Sequence, residues 1–229
     1  MGFIVIEGLD GSGKSTQIGL IENYFREQGT RTKFIHFPRT NTLIWGELIS
    51  KFLRGDLGDI DTVNPYLVAL IYAGDRKDAA DQLMRWMKEG HVVIADRYLY
   101  SNIAFQCAKI EDRKEQVKLA RWIKHFEYEY NKIPLPDLNL FLDVPFHFTE
   151  KSLGKRREGA DRNYLNGATD IHEADLVFQQ RVRDIYLEQV RLNTDFEQVG
   201  CADTEGRMLS PEEIAGHIVQ MIKMKFRIS

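Results

Sequence analysis

The chain has 229 residues, a length typical of one domain, and its hydrophobic fraction of 43% and charged fraction of 28% are ordinary for a globular protein. The formal net charge of -3 argues against a sequence-independent grip on nucleic acid. Two cysteines are too few for a disulfide scaffold and lack metal-ligand spacing, and no apolar run reaches the length of a membrane span. We therefore expect a cytoplasmic protein that binds neither nucleic acid nor membranes, with free thiols at Cys107 and Cys201.

Apolar runs alternate with helical patterns along the whole chain. Strands are predicted near residues 3–6, 32–37, 91–95, 138–143 and 196–199. Helices are predicted near residues 15–28, 42–53, 65–89, 113–130 and 170–192, and from 211 onward. Strands that alternate with helices form a parallel sheet covered on both faces. The expected fold is therefore a single doubly wound α/β domain over residues 1–229, with five parallel strands and helices on both faces.

The segment between the first strand and the first helix matches G-x-x-x-x-G-K-[ST], a loop that binds the phosphates of nucleoside triphosphates. Glycines let backbone N–H groups close around an anion, and the start of the following helix adds partial positive charge. Lys14 can reach the outer phosphates and the Ser15 hydroxyl can bind Mg²⁺. Triphosphate repels Asp10, so this residue either acts on a sugar hydroxyl or an arginine, or stabilises the turn. The residues predicted to bind ATP are Gly8, Gly11, Ser12, Gly13, Lys14, Ser15 and Thr16.

Two predicted strands are followed by an arginine. Asp96-Arg97-Tyr98 ends the third strand, and Phe37-Pro38-Arg39 ends the second. Parallel sheets present functional side chains at the carboxyl ends of their strands. A guanidinium can form a two-pronged bond to a phosphate, and Asp96 could hold a metal-bound water. The alternatives are a structural ion pair between Asp96 and Arg97 and an exposed loop arginine at position 39.

Two pairs of side chains lie four residues apart in helical segments and so share a helix face. Tyr72 and Arg76 offer a ring to stack on a base and a guanidinium to bond its carbonyl group. Asn102 and Gln106 offer carboxamides, each with a donor and an acceptor for a base edge. Spacing alone favours a core tyrosine and a solvated arginine for the first pair, and for the second it leaves a polar helix face equally open.

A charged loop over residues 154–169 precedes the long helix and contains Lys155-Arg156-Arg157 and Arg162. Charge runs usually lie on solvated faces. Phosphoryl transfer, however, spreads negative charge over the transferred group, and an inserted arginine accelerates it by about a thousandfold or more. The phosphate loop supplies only Lys14, so a mobile basic lid would provide the second cation.

Other classes of phosphate-loop protein fit less well. A GTP switch carries N-K-x-D, whereas Asn131-Lys132 here lacks the aspartate, and neither Asp96 nor Asp143 is followed by the second acid typical of motor ATPases. Arg39 and Arg97 together suit a second substrate that already carries a phosphate, which disfavours a deoxynucleoside kinase, whose acceptor has none. The complete lid and acceptor set disfavours a regulatory module that binds nucleotides without turnover. Both stay as alternatives.

Four motifs in series resemble thymidylate kinases: residues 6–16, 37–39, 72–76 and 96–106. They occur in that family's order and approximate spacing, and the similarity extends through residues 140–145 and the helix from Asp170. The resemblance implies transfer of the ATP γ-phosphate to dTMP, giving dTDP, with Mg²⁺ as cofactor. It also implies a P-loop kinase fold with a five-stranded parallel sheet and a mobile lid, commonly as a homodimer.

The resemblance assigns roles to individual residues. Arg39 and Arg97 match the residues that hold the dTMP phosphate, and Asp10 matches one near the 3′-hydroxyl and the acceptor. Tyr72 matches a ring that stacks on thymine, and Phe105 a ring under the deoxyribose that disfavours a 2′-hydroxyl. The positions of Arg76 and Asn102 match residues that read the thymine edge. The expected substrate contacts are Asp10, Phe37, Arg39, Tyr72, Arg76, Arg97, Ser101, Asn102, Phe105 and Gln106.

The lid differs from the family pattern. Some family members carry arginine where this chain has Gly11, and others use lid arginines with Asp-Arg-x-Glu where residues 170–173 read Asp-Ile-His-Glu. The resemblance thus points to a lid arginine, and Arg157 is the candidate. The expected catalytic residues are Asp10, Lys14, Arg97 and Arg157, and the expected Mg²⁺ residues are Ser15 and Asp96.

Overall fold

The computed structural model describes residues 2–60, 62–153, 165, 172 and 175–227. Within them, five strands form one sheet: β1 (Phe3–Glu7), β2 (Thr32–His36), β3 (Val92–Asp96), β4 (Leu138–Asp143) and β5 (Phe196–Gly200). Their order is β2-β3-β1-β4-β5, and all four neighbouring pairs are parallel. The expected fold class is confirmed, and each strand lies within one residue of its expected bounds.

The central strand β1 is apolar until its last residue and is buried along its whole length. It pairs with β3 and β4, where Ile6 lies opposite Asp96 and Leu140. A strand covered on both faces reads as a continuous hydrophobic run, which is why β1 and β3 were recognisable. Glu7, the last residue of β1, is fully buried despite its charge, directly before the phosphate loop begins.

The described residues also form eight α-helices: α1 (Lys14–Glu27), α2 (Trp45–Leu53), α3 (Pro65–Lys88), α4 (Leu99–Cys107), α5 (Arg113–Lys124), α6 (Phe146–Leu153), α7 (Leu176–Leu192) and α8 (Pro211–Phe226). One face of the sheet packs against α1 and α8, through Ile21 and Ile218 among others. The other face packs against α3, α4 and α7, through Leu83, Ile103 and Phe178 among others. The sheet is therefore covered on both sides, and its functional edge is the one where the strands end.

Helix ends follow local chemistry. The Asn64 side chain accepts from the backbone N–H of Tyr66, with Pro65 as the first residue of α3. At α8, Ser210 and Glu213 form a capping box in which each side chain accepts from the other's backbone N–H. Such caps satisfy N–H groups that a helix start leaves without partners.

Some elements differ from expectation. The expected helix over residues 113–130 becomes π-helical over His125–Tyr130. The sequence pattern did not reveal α6, because eight residues are too short for a clear helical period. The long helix α7 begins at Leu176, capped by the Asp175 carboxylate. The expected lid, including Arg157, lies outside the described residues except for Leu165.

Within the described part of the chain, no helix combines the length and the apolar character that a membrane span requires. Cys107 and Cys201 are buried free thiols. Burial raises the pKa of each thiol to about 12, which keeps both in the protonated, unreactive form.

Candidate active site

A cleft of about 900 Å³ opens where β1, β2 and β3 end. All ten expected substrate-contact residues line it, together with Lys14, Ser15 and Asp96. The two arginines at positions 39 and 97 thus lie in the same cleft as the phosphate loop. The fold accounts for this meeting, because parallel strands end at one edge of the sheet and deliver their following residues there.

The phosphate loop has the backbone conformation that its glycines permit. Gly11 and Gly13 have φ angles of 74° and 85°, in the left-handed region that favours glycine. A Cβ on Gly11 would come within 2.6 Å of the Ser152 hydroxyl oxygen on α6, so a side chain there would also be crowded. This crowding gives a steric reason for the absence of an arginine at position 11.

Lys14 is the loop's cation. Its Nζ donates to the carbonyl oxygens of Leu9 (3.0 Å) and Gly8 (3.4 Å), so the ammonium folds back over the loop. Burial, and then the neighbouring Arg97 guanidinium, lower the pKa of Lys14. Lys14 is the first residue of α1, which places its charge beside the positive end of the helix dipole. The ammonium charge of Lys14 and the positive end of the helix dipole both favour an anion at this position.

Asp96 is the candidate metal-side carboxylate. Its side chain lies 3.9 Å from Lys14 Nζ and 3.3 Å from His36 Nδ1. Burial by itself would raise the pKa of Asp96, but Lys14 and His36 outweigh it and lower the pKa. Its buried Oδ1 accepts no hydrogen bond from any described residue, and Ser15 is exposed in the same cleft. No group of three or more His, Cys, Asp or Glu side chains that could hold a metal occurs among the residues described, so a cation here would need further ligands from other groups.

Arg97 is held in one orientation from several directions. Its φ is 68°, a conformation that costs a non-glycine residue energy and is retained where the surroundings enforce it. Its guanidinium donates to Asp10 Oδ1 (2.9 Å) and to the Ser101 hydroxyl (3.2 Å), and lies 4.9 Å from the centroid of the Phe105 ring. Burial opposes its charge, yet the Asp10 carboxylate more than compensates and raises the pKa of Arg97.

The buried carboxylate of Glu7 supports this arrangement from below. It accepts from the backbone N–H groups of Tyr98 (2.9 Å) and Ser101 (3.1 Å) and from the hydroxyls of Ser101 and Tyr186. These N–H groups lie at the start of α4, which lacks a capping side chain of its own. Glu7 therefore caps α4 from the neighbouring strand. Sequence analysis missed it, although an acid that ends an apolar strand is a usable signal.

Arg39 reaches the cleft from the loop after β2. Its Nε donates to Asp75 Oδ1 (2.9 Å), and its Nη2 donates to the Asp75 carbonyl oxygen (2.8 Å) and to Asp78 Oδ2 (2.6 Å). The guanidinium is thus fixed by two acids of α3, and it is not the exposed loop arginine of the alternative interpretation. Burial, countered by bonds from Arg39, raises the pKa of Asp75.

Arg76 is buried against a carboxylate that the sequence analysis did not single out. Its Nε and Nη2 donate to the two oxygens of Glu127 at 2.5 and 2.7 Å. The Asn102 amide nitrogen also donates to Glu127 (2.9 Å), and to the carbonyl oxygen of Ala69 (3.1 Å). Only 2% of the Arg76 side chain is exposed, so the expectation from spacing of a solvated arginine is wrong. Tyr72 is half-buried with its ring edge-to-face against Phe52.

The orientation of the Asn102 amide is fixed by its neighbours. Both partners of the Asn102 nitrogen are acceptors, so Asn102 Oδ1 must point the other way. That oxygen and Gln106 Oε1 are buried and accept no hydrogen bond from the described residues. Both residues line the cleft, and their amide oxygens are acceptors without a donor among the described residues.

His172 lines the cleft, and Gln179 contacts both Asp10 and the backbone of His172. The His172 ring packs 5.0 Å from Phe105 and 5.4 Å from Phe52, measured between ring centroids. Burial, and then Lys109, hold the pKa of His172 well below its usual value. Gln179 on α7 is fully buried and donates to Asp10 Oδ2 (3.3 Å) and to the His172 carbonyl oxygen (2.8 Å). Sequence analysis missed Gln179, because no local pattern links a residue in α7 to the phosphate loop.

A glycine-rich loop between a central parallel strand and a helix, facing a pair of guanidiniums across one cleft, defines a nucleotide-binding α/β protein of the P-loop type. Comparison with known proteins narrows this class. Residues 6–201 match the family model described as thymidylate kinase, and the chain belongs to that family.

Individual proteins similar to this chain are thymidylate kinases as well. The chain is 30% identical over 185 residues to thymidylate kinase from Mycobacterium tuberculosis (strain CDC 1551 / Oshkosh), covering 81% of this chain and 84% of that one. It is 33% identical to a probable thymidylate kinase from Pyrobaculum aerophilum, with 99% of each chain covered. Among solved structures, thymidylate kinase from Candida albicans matches with a TM-score of 0.72 at 24% identity, over 97% of this chain and 91% of that one. That last match supports the fold.

Proposed function

We propose that this chain transfers the γ-phosphoryl group of ATP to dTMP, giving dTDP and ADP. The observation that carries the proposal is the 2.9 Å bond between Asp10 on the phosphate loop and Arg97 at the end of β3. This bond joins the donor loop and an acceptor-side guanidinium in one cleft that also holds buried carbonyl oxygens for a base. Membership of the thymidylate kinase family supports the same reaction.

The mechanism is direct, in-line transfer without a covalent enzyme intermediate. Lys14 and the loop N–H groups hold the donor phosphates and balance the charge that develops on the transferred group. Arg97 and Arg39 orient the acceptor phosphate. Because Asp10 and Ser101 hold Arg97 and Asp75 holds Arg39 beforehand, little freedom remains to be lost when the substrates bind.

The base end of the cleft suits thymine. Thymine carries an N3–H donor, which can bond to a carbonyl oxygen such as Asn102 Oδ1. Cytosine has an acceptor at N3, and two acceptors facing each other would leave buried groups unsatisfied at a cost of about 1–3 kcal/mol. Tyr72 offers a ring face and Phe105 lies beneath Arg97, where the sugar of a bound nucleotide would pass.

Mg²⁺ fits the residues present. Asp96 Oδ1 is a buried oxygen without a hydrogen bond from the described residues, and the Ser15 hydroxyl is exposed nearby. Mg²⁺ is usually held by one or two protein oxygens together with substrate phosphates and waters. When bound with ATP, the cation would neutralise charge on the outer phosphates.

We infer one domain, a cytoplasmic location, a homodimer and a catalytic lid arginine, Arg157. The family resemblance supports the homodimer and the lid arginine, and the two buried thiols are consistent with a reducing compartment. Light scattering after size exclusion would give the oligomeric state, and a monomer at micromolar concentration would contradict the homodimer.

The reaction is tested by ADP release with dTMP, dUMP, dCMP and thymidine as acceptors, each with ATP and Mg²⁺. We expect dTMP to react fastest, and Lys14→Met to lower kcat by about a hundredfold or more. Lys118→Met is the matched control, since that ammonium is 65% exposed and pairs only along its own helix among the described residues. Faster reaction with thymidine would favour a deoxynucleoside kinase. Binding of ATP and dTMP without dTDP would favour a regulatory module.

A further inference from the structure

We propose that Gln179 is a positioning residue that keeps Arg97 available to the acceptor phosphate. The inference rests on the proposed function. Gln179 lies on α7, far along the chain from the phosphate loop, and its side chain is fully buried. Its amide nitrogen donates to Asp10 Oδ2 at 3.3 Å, while Arg97 donates to the other oxygen, Asp10 Oδ1, at 2.9 Å. The two oxygens of one carboxylate are therefore held by two different elements.

The chemistry of the neighbours fixes which end of the amide faces Asp10. Gln179 Nε2 also donates to the His172 carbonyl oxygen at 2.8 Å. Both partners are acceptors, so the NH₂ group, with its two hydrogens, must face them. A glutamate of the same size would instead place an oxygen against two oxygens. The position thus requires an amide for its donor hydrogens, in addition to its volume.

The consequence for Arg97 follows from guanidinium geometry. Arginine and a carboxylate form their strongest pair when two parallel N–H groups meet both oxygens. Here the pair between Arg97 and Asp10 is monodentate, because Gln179 donates to the second oxygen of Asp10 and Arg97 Nη1 donates to Ser101 instead. Without the amide, Asp10 can rotate to take both guanidinium nitrogens. A closed two-pronged pair competes directly with a phosphate for the same N–H groups.

The charges around Gln179 support this account. Asp10 faces it from the phosphate loop, Arg97 stands behind Asp10 at the end of β3, and Lys14 lies near Asp10. On the remaining side is the segment at His172, whose ring is affected by the Lys109 ammonium. Asp10 is thus the acid that Gln179 contacts, and the amide holds its Oδ2 while Arg97 holds its Oδ1.

The inference is tested with Gln179→Met, which removes the donors at similar length, and with Gln179→Glu, which keeps the shape and reverses the polarity. For Gln179→Met we expect the KM for dTMP to rise about tenfold, with the KM for ATP changed by less than about twofold. Because Arg97 then engages phosphate less well, the preference for dTMP over thymidine should fall by a similar factor. A purely structural loss would not narrow that preference.

For Gln179→Glu we expect an effect that depends on pH. The new carboxyl group lies against Asp10, so like-charge repulsion raises the pKa of the pair. At low pH the protonated group still donates one hydrogen bond, and as pH rises that bond is replaced by repulsion. The ratio of wild-type to variant kcat/KM for dTMP should therefore grow by about tenfold or more between pH 6 and pH 8.5. Gln180→Glu is the matched control, because the neighbouring amide donates to Asp184 on the same helix and should leave kcat/KM within about twofold.

Thermal unfolding first establishes that each variant is folded. If Gln179→Met does not fold, the pH profile of Gln179→Glu tests the inference in its place. An unchanged preference for dTMP over thymidine in Gln179→Met, or parallel pH profiles for Gln179→Glu and wild type, would overturn the inference while wild-type turnover upholds the reaction. If the wild type forms no dTDP, the proposed function fails by itself. In that case the affinities of dTMP and thymidine for the same variants are measured by calorimetry. A smaller preference for binding dTMP over thymidine in Gln179→Met than in the wild type then supports the role of Gln179, and an unchanged preference overturns it.

Discussion

Replacement of Glu127 by glutamine should destabilise the protein far more than the same change two residues later. Glu127 is fully buried and pairs with Arg76, which is 2% exposed, through bonds of 2.5 and 2.7 Å. Glutamine removes the charge and turns an NH₂ group toward a guanidinium N–H, so that two donors face each other. Breaking a buried ion pair from one side costs about 3–5 kcal/mol, because the remaining charge stays buried without its partner.

The expected loss of unfolding free energy corresponds to a measurable decrease in Tm. For a chain of this size, about 1 kcal/mol corresponds to roughly 2–4 °C in Tm, so Glu127→Gln should lower Tm by roughly 6–20 °C. The matched control is Glu129→Gln on the same π-helical segment, where the glutamate is 71% exposed and pairs with His125 at 2.9 Å. An exposed pair of this kind contributes less than about 1 kcal/mol.

The assay is urea or thermal unfolding followed by tryptophan fluorescence and circular dichroism. At temperatures where Glu127→Gln is folded, its KM for dTMP should also rise while its KM for ATP stays constant, because the Asn102 amide loses a charged acceptor from the same carboxylate. Equal losses of stability in Glu127→Gln and Glu129→Gln would refute the reasoning, since the buried pair would then contribute no more to the unfolding free energy than the exposed one.

Two further changes probe His172, which lines the cleft, and Gly46, which packs against the backbone of the cleft residues Arg39 and Thr40. Gly46→Ala should raise the KM for dTMP by about tenfold to a hundredfold, because a Cβ there would lie 2.5 Å from the Arg39 carbonyl oxygen and 2.7 Å from the Thr40 carbonyl carbon. Gly216→Ala, with nothing within 4 Å of the new Cβ, should instead stabilise α8 by about 0.5–1 kcal/mol, and equal kinetic effects from the two changes would contradict the argument. His172→Phe should reduce the loss of unfolding free energy that acid causes. The folded state lowers the pKa of His172, so below about pH 6.5 only the unfolded chain binds a proton there. This proton binding lowers the unfolding free energy of the wild type by up to about 1.4 kcal/mol per pH unit. Unfolding midpoints measured from pH 7.5 to pH 5 should diverge, and parallel curves would show that His172 does not titrate differently on folding.

Much of the fold was readable because its signals are local. The central strands β1 and β3 are apolar runs that each end in one acid, and the phosphate loop and the Ser210 capping box follow from residues within a few positions of each other. The family resemblance was confirmed by the match over residues 6–201. Local patterns also placed Asp96 and Arg97 at the functional edge of the sheet, since the end of a parallel strand fixes that location.

The parts that could not be read are long-range pairings. Nothing near Arg76 in the sequence identifies Glu127 as its partner, and spacing alone favoured a solvated arginine, whereas burial of the pair depends on how α3 meets the π-helical segment. Gln179 likewise bonds to Asp10 across most of the chain. The substrate roles of the cleft residues stay predictions until kinetics test them.

The pairing of Ile6 with Asp96 in the sheet has a consequence for substrate length. The phosphate loop follows β1 and Arg97 follows β3, so both leave the sheet from paired strands, and neighbouring strands are about 4.8 Å apart. The backbone N–H of Arg97 is itself bonded to the Ile6 carbonyl oxygen at 2.9 Å. If the phosphate loop and Arg97 bind the two phosphates as proposed, the hydrogen bonds between β1 and β3 set the distance between the two anion sites. An acceptor whose phosphate stands one bond farther from its sugar would be held out of line with the donor, however well its base fitted.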